Sequence, residues 1–384
     1  MTGMEAMTIG AADQDLALAL LEIFRQHGYA RSEPDILQPA DIFLDVSGED
    51  MRKRMFMTQD AEGREWCLRP EYTIPVCRSH LAAQAQGADA GGEGAFAYAY
   101  AGPVFRMRSG ETGEFRQAGI ELLGGADPEA ADAEVMALTC EAVARAGLAP
   151  PDMRLGDVAI LKAVLASLAL PAAAQRRLMR AVSAGQGAAA LSALDAKPAS
   201  SNHAGLVAAL AGQDPRAAQD FVEDVLSIAG IDSVGGRSAA DIAGRFLARA
   251  GENGAGVADE ARAVVARLLA VEGDPDAAAA ALRALAGDAG LKLDAELDAL
   301  EARTGFLAAR GLDISAMRFE AGFARNLDYY TSFIFELHDP APGSPKPVAG
   351  GGRYDTLLAR LGASSPTPAV GASIWLDRLV RRPA

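Results

Sequence analysis

Side chains suited to holding a small zwitterion recur along this chain. In Leu68-Arg69-Pro70-Glu71-Tyr72-Thr73, a carboxylate and a hydroxyl stand side by side, which suits an ammonium group needing charge-assisted acceptors. Arg106 offers a rigid fork of donors, the geometry that clamps a carboxylate at two points. In Gln117-Ala118-Gly119-Ile120-Glu121-Leu122, Gln117 and Glu121 fall on one strand face, opposite Ala118, Ile120 and Leu122, so both could reach one bound molecule. Further on, Arg325 precedes Tyr329 and Tyr330, and Tyr354 follows a run of glycines. An aromatic cage with hydroxyls and a nearby carboxylate holds a flat polar ring without a metal. Each feature taken alone has a plainer reading. The Glu71 segment could be a surface turn with an ion pair, the polar strand face could meet water, the tyrosine pair could be core packing, and Gly350-Gly351-Gly352 could be only a turn.

The elements that must position these residues follow a strand, helix, strand order. A helix is expected from residue 12 to about 30, ending at Gly28, then a turn around Pro34. Period-two alternation runs from Ala95 to Leu123, including Val104 to Arg108, and predicts two neighbouring strands with one polar face. From 168 to 308 the chain is rich in Ala and Leu, with helix punctuation throughout. Asp214-Pro215 opens a segment ending at Gly230, and Asp274-Pro275 opens one ending at Gly287, each placing a cap, a first-turn proline and a terminal glycine where helices favour them. Strand character returns over Met317 to His338 and Gly350 to Tyr354, and a helix from about Ser373 to Arg381 closes the chain. The expected fold class is α+β, an antiparallel sheet flanked by helices, with residues 1–167 and 309–384 as the core and 168–308 as an all-helical insertion domain.

Composition narrows the function classes. The 384 residues are 50% hydrophobic and carry a net charge of −15, enough for a sizeable core and without a basic run of the kind that neutralises phosphates. A tRNA partner is therefore not expected. Glu22 interrupts the apolar run Leu16 to Leu21, so the first segment is not read as a signal peptide, and no stretch approaches the length of a membrane helix. Cys67, Cys77 and Cys140 form no CxxC, and His27, His80, His203 and His338 are scattered. No metal site, disulfide or cofactor is expected, and a cytoplasmic setting fits.

Taken together, four strings resemble the catalytic core of histidyl-tRNA synthetases, a class II aminoacyl-tRNA synthetase fold. They are Leu68 to Thr73; Gly102 to Arg106 with Phe115 to Glu121; Arg325-Asn326-Leu327-Asp328-Tyr329-Tyr330-Thr331; and Gly350 to Asp355 followed by Pro368 to Leu379. The resemblance implies a histidine-binding set of Glu71, Thr73, Arg106, Gln117, Glu121, Arg325, Tyr329, Tyr330 and Tyr354, the tyrosine hydroxyls facing the imidazole. Asn326 stands where the family has glycine, and asparagine tolerates the left-handed turn better than most residues.

The departures fall on the half of the site that would hold ATP. Arg108 stands where the family has a glutamate accepting from the adenine amino group, and an arginine offers no acceptor. The following loop is shorter, and Glu111 and Glu114 would repel a triphosphate. Trp375 replaces a glycine that leaves room beneath the adenine, whereas Arg378 is kept, and the last motif ends close to Ala384 without room for an anticodon-binding domain. These departures match the regulatory subunits of ATP phosphoribosyltransferase, a non-catalytic branch. That resemblance implies an L-histidine sensor controlling the first step of histidine biosynthesis, paired with a short-form ATP phosphoribosyltransferase catalytic subunit, as a homodimer within a hetero-oligomer. The competing expectations are a truncated ligase that still forms histidyl-adenylate and a scaffold with a vestigial pocket.

Overall fold

The chain begins with helix α1 (Thr2–Gln26), whose Leu20 and Phe24 are fully buried. Gly28 ends it with φ 85°, its N–H on Arg25 O, while Tyr29 N–H reaches back to Phe24 O. That pairing is the double bond of a glycine-terminated helix. This is a computed structural model, and it describes residues 2–44, 52–87, 94–107, 112–148, 150–168, 170–194, 220–221, 224, 233–234, 237–238, 257–325, 329–341 and 346–380.

After α1 come β1 (Ala30–Arg31) and a three-stranded antiparallel sheet of β2 (Leu37–Pro39), β3 (Met57–Gln59) and β4 (Glu65–Leu68). Helix α2 (Thr73–Ala85) starts immediately beyond the Glu71 segment. The alternating stretch is a hairpin pair, β5 (Phe96–Phe105) antiparallel to β6 (Glu114–Leu123), with Gly102 opposite Gln117 and Tyr98 opposite Glu121. Regular strand ends at Phe105 rather than reaching Arg108, although Arg106 N–H still bonds to Gly113 O. The polar face of β6 does not meet water. Gln117 and Glu121 are each 1% exposed, and Thr73 from the first turn of α2 and Tyr354 beyond a later strand both bond to Glu121.

Helix α3 (Pro128–Arg145) is capped by Asp127, whose carboxylate accepts from Ala130 N–H. Strand β7 (Asp152–Asp157) then leads into helix α4 (Val158–Ser167). The chain divides into two compact units here, Met1–Ala163 with Ala270–Ala384, and Val164–Leu269. In the second unit lie α5 (Ala172–Ser183), a 3-10 segment (Gly187–Leu194), a short antiparallel pair β8 (Ser233–Val234) and β9 (Arg237–Ser238), and α6 (Asp259–Leu269). This unit is thus not wholly helical, and the Asp214-Pro215 helix start lies outside the described residues.

The second unit ends at Leu269, short of the expected 308, because the two helices that follow pack on elements of the first unit. After β10 (Glu272–Gly273), helix α7 (Pro275–Ala289) starts at its Asp274 cap and ends at Gly290, in a left-handed conformation, instead of Gly287. Helix α8 (Asp294–Ala309) carries Arg303, which is 3% exposed and donates to Asp132 of α3 at 2.8 Å and to Asp157 of β7 at 3.2 Å. Uniform Ala and Leu content hides this difference between helices of the insertion and helices of the core.

Strand β11 (Met317–Glu320), strand β12 (Phe333–His338) and strand β13 (Ala349–Arg353) follow, then the short helix α9 (Leu357–Arg360), β14 (Ala369–Trp375) and α10 (Leu376–Val380). Among the described residues, nine strands form one sheet in the order β1-β5-β6-β14-β13-β12-β7-β11-β10. It is antiparallel through its centre, with parallel pairs only at β1·β5 and β11·β7. The last helix begins after Trp375 because Ser373, Ile374 and Trp375 are still paired with β6. A second arginine, Arg353 of β13, also bonds to Asp132, through Nε at 2.8 Å. Asp132, fully buried, thereby joins α8 and β13 through two guanidinium groups.

Removing one partner from a buried ion pair strands the other charge away from water. Arg303→Ala should therefore lower the unfolding free energy by about 3–5 kcal/mol, measured by urea denaturation of the full chain.

Candidate functional site

At the centre of the sheet lies a cavity of about 210 Å³. Of the residues expected to act there, Glu71, Thr73, Arg106, Gln117, Arg325, Tyr329, Tyr330, Tyr354, Trp375 and Arg378 all line it. Glu121 sits just behind the wall, accepting from Thr73 Oγ1 at 2.7 Å and from the Tyr354 hydroxyl. Arg108 lies outside the described residues. Residues far apart in sequence therefore converge, contributed by the start of α2, the end of β5, β6, the approach to β12, the end of β13, β14 and α10.

Local chemistry explains each placement. The Glu71 carboxylate accepts from the backbone N–H groups of Thr73 at 2.6 Å and Ile74 at 2.9 Å, so it serves the open donors at the start of α2. Burial raises its pKa, while those two N–H groups and Arg106 pull it back. The Arg106 guanidinium is oriented by a 2.7 Å bond from Nε to Pro70 O and rests 5.5 Å from the Phe115 ring. Glu121 is the more perturbed acid. Burial, against hydrogen bonds from Tyr354 and Thr73 and with the Glu71 charge nearby, pushes it from the usual 4.5 up to about 8.

Three tyrosines form one wall, with Tyr329 5.0 Å from Tyr330 and 5.7 Å from Tyr354, ring centre to ring centre. Burial raises the pKa of all three hydroxyls, so they stay neutral donors. Their segment is pinned by Thr331 N–H on Arg353 O at 2.8 Å and by Lys162 Nζ on Tyr330 O at 3.0 Å. Arg325 adjoins Tyr330, with which it shares a side-chain hydrogen bond, and bonds Glu336 Oε1 through Nη1 at 3.0 Å, while Arg378 donates to Pro347 O. The Trp375 ring centre lies 5.6 Å from the Arg325 guanidinium and 4.4 Å from that of Arg378, and the indole packs with Tyr100, Val104 and Phe115.

The glycine run is a fully buried strand rather than a turn, and it makes room for the site. A methyl group on Gly350 would collide with the Arg325 guanidinium, and one on Gly371 with the Glu121 carboxylate. Close approach of a charged group to backbone is what these positions require.

Sequence reasoning missed Arg54, Glu336 and Ser373, which also line the cavity. A signal existed for Glu336, a lone carboxylate between Phe335 and Leu337 in an otherwise apolar strand. Nothing distinguished Arg54 within Arg52-Lys53-Arg54. Among the described residues, no group of three or more His, Cys, Asp or Glu side chains could hold a metal, and no helix is long and apolar enough to cross a membrane.

Comparison with known proteins agrees with this geometry. The family model for histidyl-tRNA synthetase matches residues 10–235 and 243–379. An ATP phosphoribosyltransferase regulatory subunit from Mesorhizobium japonicum is 41% identical over 370 residues, covering 95% of this chain and 96% of its own. A protein of the same name from Chelativorans is 38% identical over 369 residues, covering 94% and 96%. Among solved structures, an ATP phosphoribosyltransferase regulatory subunit/histidyl-tRNA synthetase from Bacillus halodurans superposes with a TM-score of 0.70 at 22% identity, covering 96% of this chain and 78% of that one. At that identity the likeness concerns the fold.

The Glu121 pKa has a consequence for stability. A carboxyl whose folded pKa lies above its unfolded value stabilises fully below the unfolded pKa, and that contribution is lost as pH rises through the folded one. Between pH 4.5 and about 8, Glu121 should therefore make the protein less stable as pH rises, with a slope of at most about 1.4 kcal/mol per pH unit. Urea denaturation across that range should give a shallower slope for Glu121→Gln, which stays neutral throughout.

Proposed function

This chain belongs to the histidyl-tRNA synthetase family, on its branch of ATP phosphoribosyltransferase regulatory subunits, and from that premise we propose that it senses free L-histidine in the central cavity. The observation that carries the proposal is the pairing of buried carboxylates, buried tyrosine hydroxyls and Arg106 around a space of about 210 Å³. Pockets for larger ligands begin near 300 Å³, so this one suits an amino acid by itself. Glu71, Thr73 and Gln117 accept from the α-ammonium group, and Arg106 takes the carboxylate. The imidazole then lies against Tyr329, Tyr330 and Tyr354, with Glu121 behind them. A protonated Glu121 donates to a ring nitrogen, and an ionised one accepts from a ring N–H.

The neighbouring space is occupied by the Trp375 indole, which supports binding without activation. Histidine then acts by preferring one conformational state of the subunit over another. The proposed partner is a short-form ATP phosphoribosyltransferase catalytic subunit, joined to a homodimer of this chain in a cytoplasmic hetero-oligomer. Arg378, retained beside the indole, favours a second reading as a ligase that forms histidyl-adenylate.

Histidine at 100 times its dissociation constant should stabilise the full chain by about 2.7 kcal/mol in a thermal or urea unfolding assay. Glu71→Gln should abolish that gain, and histidine should change the rate of the catalytic partner only when this subunit is present. Histidine-dependent exchange of pyrophosphate into ATP would establish the ligase instead, and a chain unmoved by histidine would leave the pocket without its proposed ligand.

A further inference from the structure

Two of the tyrosines that line the central cavity are backed by groups of opposite hydrogen-bonding sense. Tyr330 shares a side-chain hydrogen bond with Arg325. A guanidinium only donates, so the Tyr330 oxygen accepts there and its O–H is left to donate elsewhere. Tyr354 is the reverse. Its hydroxyl donates to Glu121 Oε2, which leaves the Tyr354 oxygen to accept. The two rings belong to one wall, with the Tyr329 ring centre 5.0 Å from that of Tyr330 and 5.7 Å from that of Tyr354, and the Tyr330 ring passes over Gly352, where a methyl group would strike it.

Arg325 is held to that role. Its guanidinium fills the space over Gly350, and Nη1 donates to Glu336 Oε1 at 3.0 Å and to Phe335 O at 3.3 Å. Glu336 is fixed in turn by His338 Nε2, 3.1 Å from its Oε2. Glu336 offsets the charge of Arg325, but the guanidinium remains a donor. The other titratable groups near these rings are Glu71, Cys77 and Tyr329, with Lys162 Nζ on Tyr330 O. Glu71 is engaged by two backbone N–H groups, and burial keeps Cys77 and Tyr329 neutral. A donor beside an acceptor is the complement of an uncharged imidazole, which carries one bare ring nitrogen and one N–H. The imidazolium carries two N–H groups and would set one against the Tyr330 O–H. Resting on the assignment of histidine to this cavity, we propose that Arg325 is a positioning residue which, through the Tyr330 hydroxyl, makes the cavity select the uncharged imidazole over the imidazolium. The ring N–H then faces Tyr354 and the Glu121 behind it. A donor set against a donor leaves both unpaired, so the uncharged ring is preferred about 10- to 100-fold.

Nuclear magnetic resonance of histidine isotope-labelled at its ring nitrogens reads this directly, because an uncharged imidazole shows two unlike nitrogens and an imidazolium two alike. Bound to the full chain, the ring should gain its proton about one to two pH units below the value of about 6.5 at which the free side chain does. A bound ring that protonates at or above about pH 6.5 would overturn the proposal. Arg325→Met removes the donor behind Tyr330, and Tyr330→Phe removes the hydroxyl but keeps the ring over Gly352. In either variant the bound ring should protonate about one pH unit closer to the free value, and a ring that stays uncharged as far down as in the unaltered chain would overturn the role of Arg325. Titration calorimetry with triazolylalanine, an analogue whose ring is too weakly basic to be protonated in this range, gives a second readout. Its affinity should gain about fivefold on that of histidine between about pH 6.5 and 5.5, and a constant ratio would also overturn the proposal. Histidine bound as the imidazolium sinks this inference alone. A chain that binds neither compound removes the histidine assignment and this inference with it.

Discussion

The Glu121 carboxylate accepts from Thr73 at the first turn of α2 and from Tyr354 at the end of β13, in space that only a glycine at position 371 leaves open. Three parts of the chain are brought into register by that acid. Burying it is unfavourable, and the molecule responds by keeping it protonated near neutral pH and surrounding it with neutral hydroxyls. Every other feature of the cavity is arranged around that constraint. Glu71 shares Thr73 with it, the tyrosines form its wall, and the glycine-rich strands leave the clearance that the Arg325 and Glu121 side chains occupy.

That local arrangement needs a rigid frame, which Asp132 supplies. Arg353 precedes Tyr354 directly, and its guanidinium is fixed by Asp132 and Asp355. Arg303 reaches the same Asp132 from α8, so the helices following the second unit are tied to the strand that presents the site. Continuum estimates hold that buried ion pairs add little net stability over apolar packing, and their better-attested role is to fix one arrangement among several. Here the fixed quantity is the position of β13, on which both Tyr354 and the clearance at Gly350 depend.

Much of the site was legible because recognition of a zwitterion demands particular side chains. Glu71 beside Thr73, Gln117 and Glu121 on one face, and the tyrosines near Arg325 stood out by type, but only the resemblance to histidyl-tRNA synthetases joined them into one set, and the cavity or its wall contains all of them. Burial was not legible. Alternation announces two faces of a strand but not whether another layer covers the polar one, and β6 is covered on both. The boundary at Leu269 was hidden for a related reason, since α7 and α8 have the composition of the preceding insertion and differ in what they pack against, β11 and α3 of the first unit, where Arg303 also finds its acids. Trp375 was recognisable as an obstruction. That its N–H is left without a partner depends on its neighbours in three dimensions, which no linear pattern encodes.

The internal pairing of this site also bears on how tightly it can hold a ligand. Thr73, Tyr354 and Glu121 already satisfy one another, so the imidazole of the proposed ligand would exchange existing hydrogen bonds for new ones and gain only the difference. The proposed sensor would benefit, because a site that gains little from the ring holds its ligand reversibly, and occupancy then follows ligand concentration instead of saturating at trace levels.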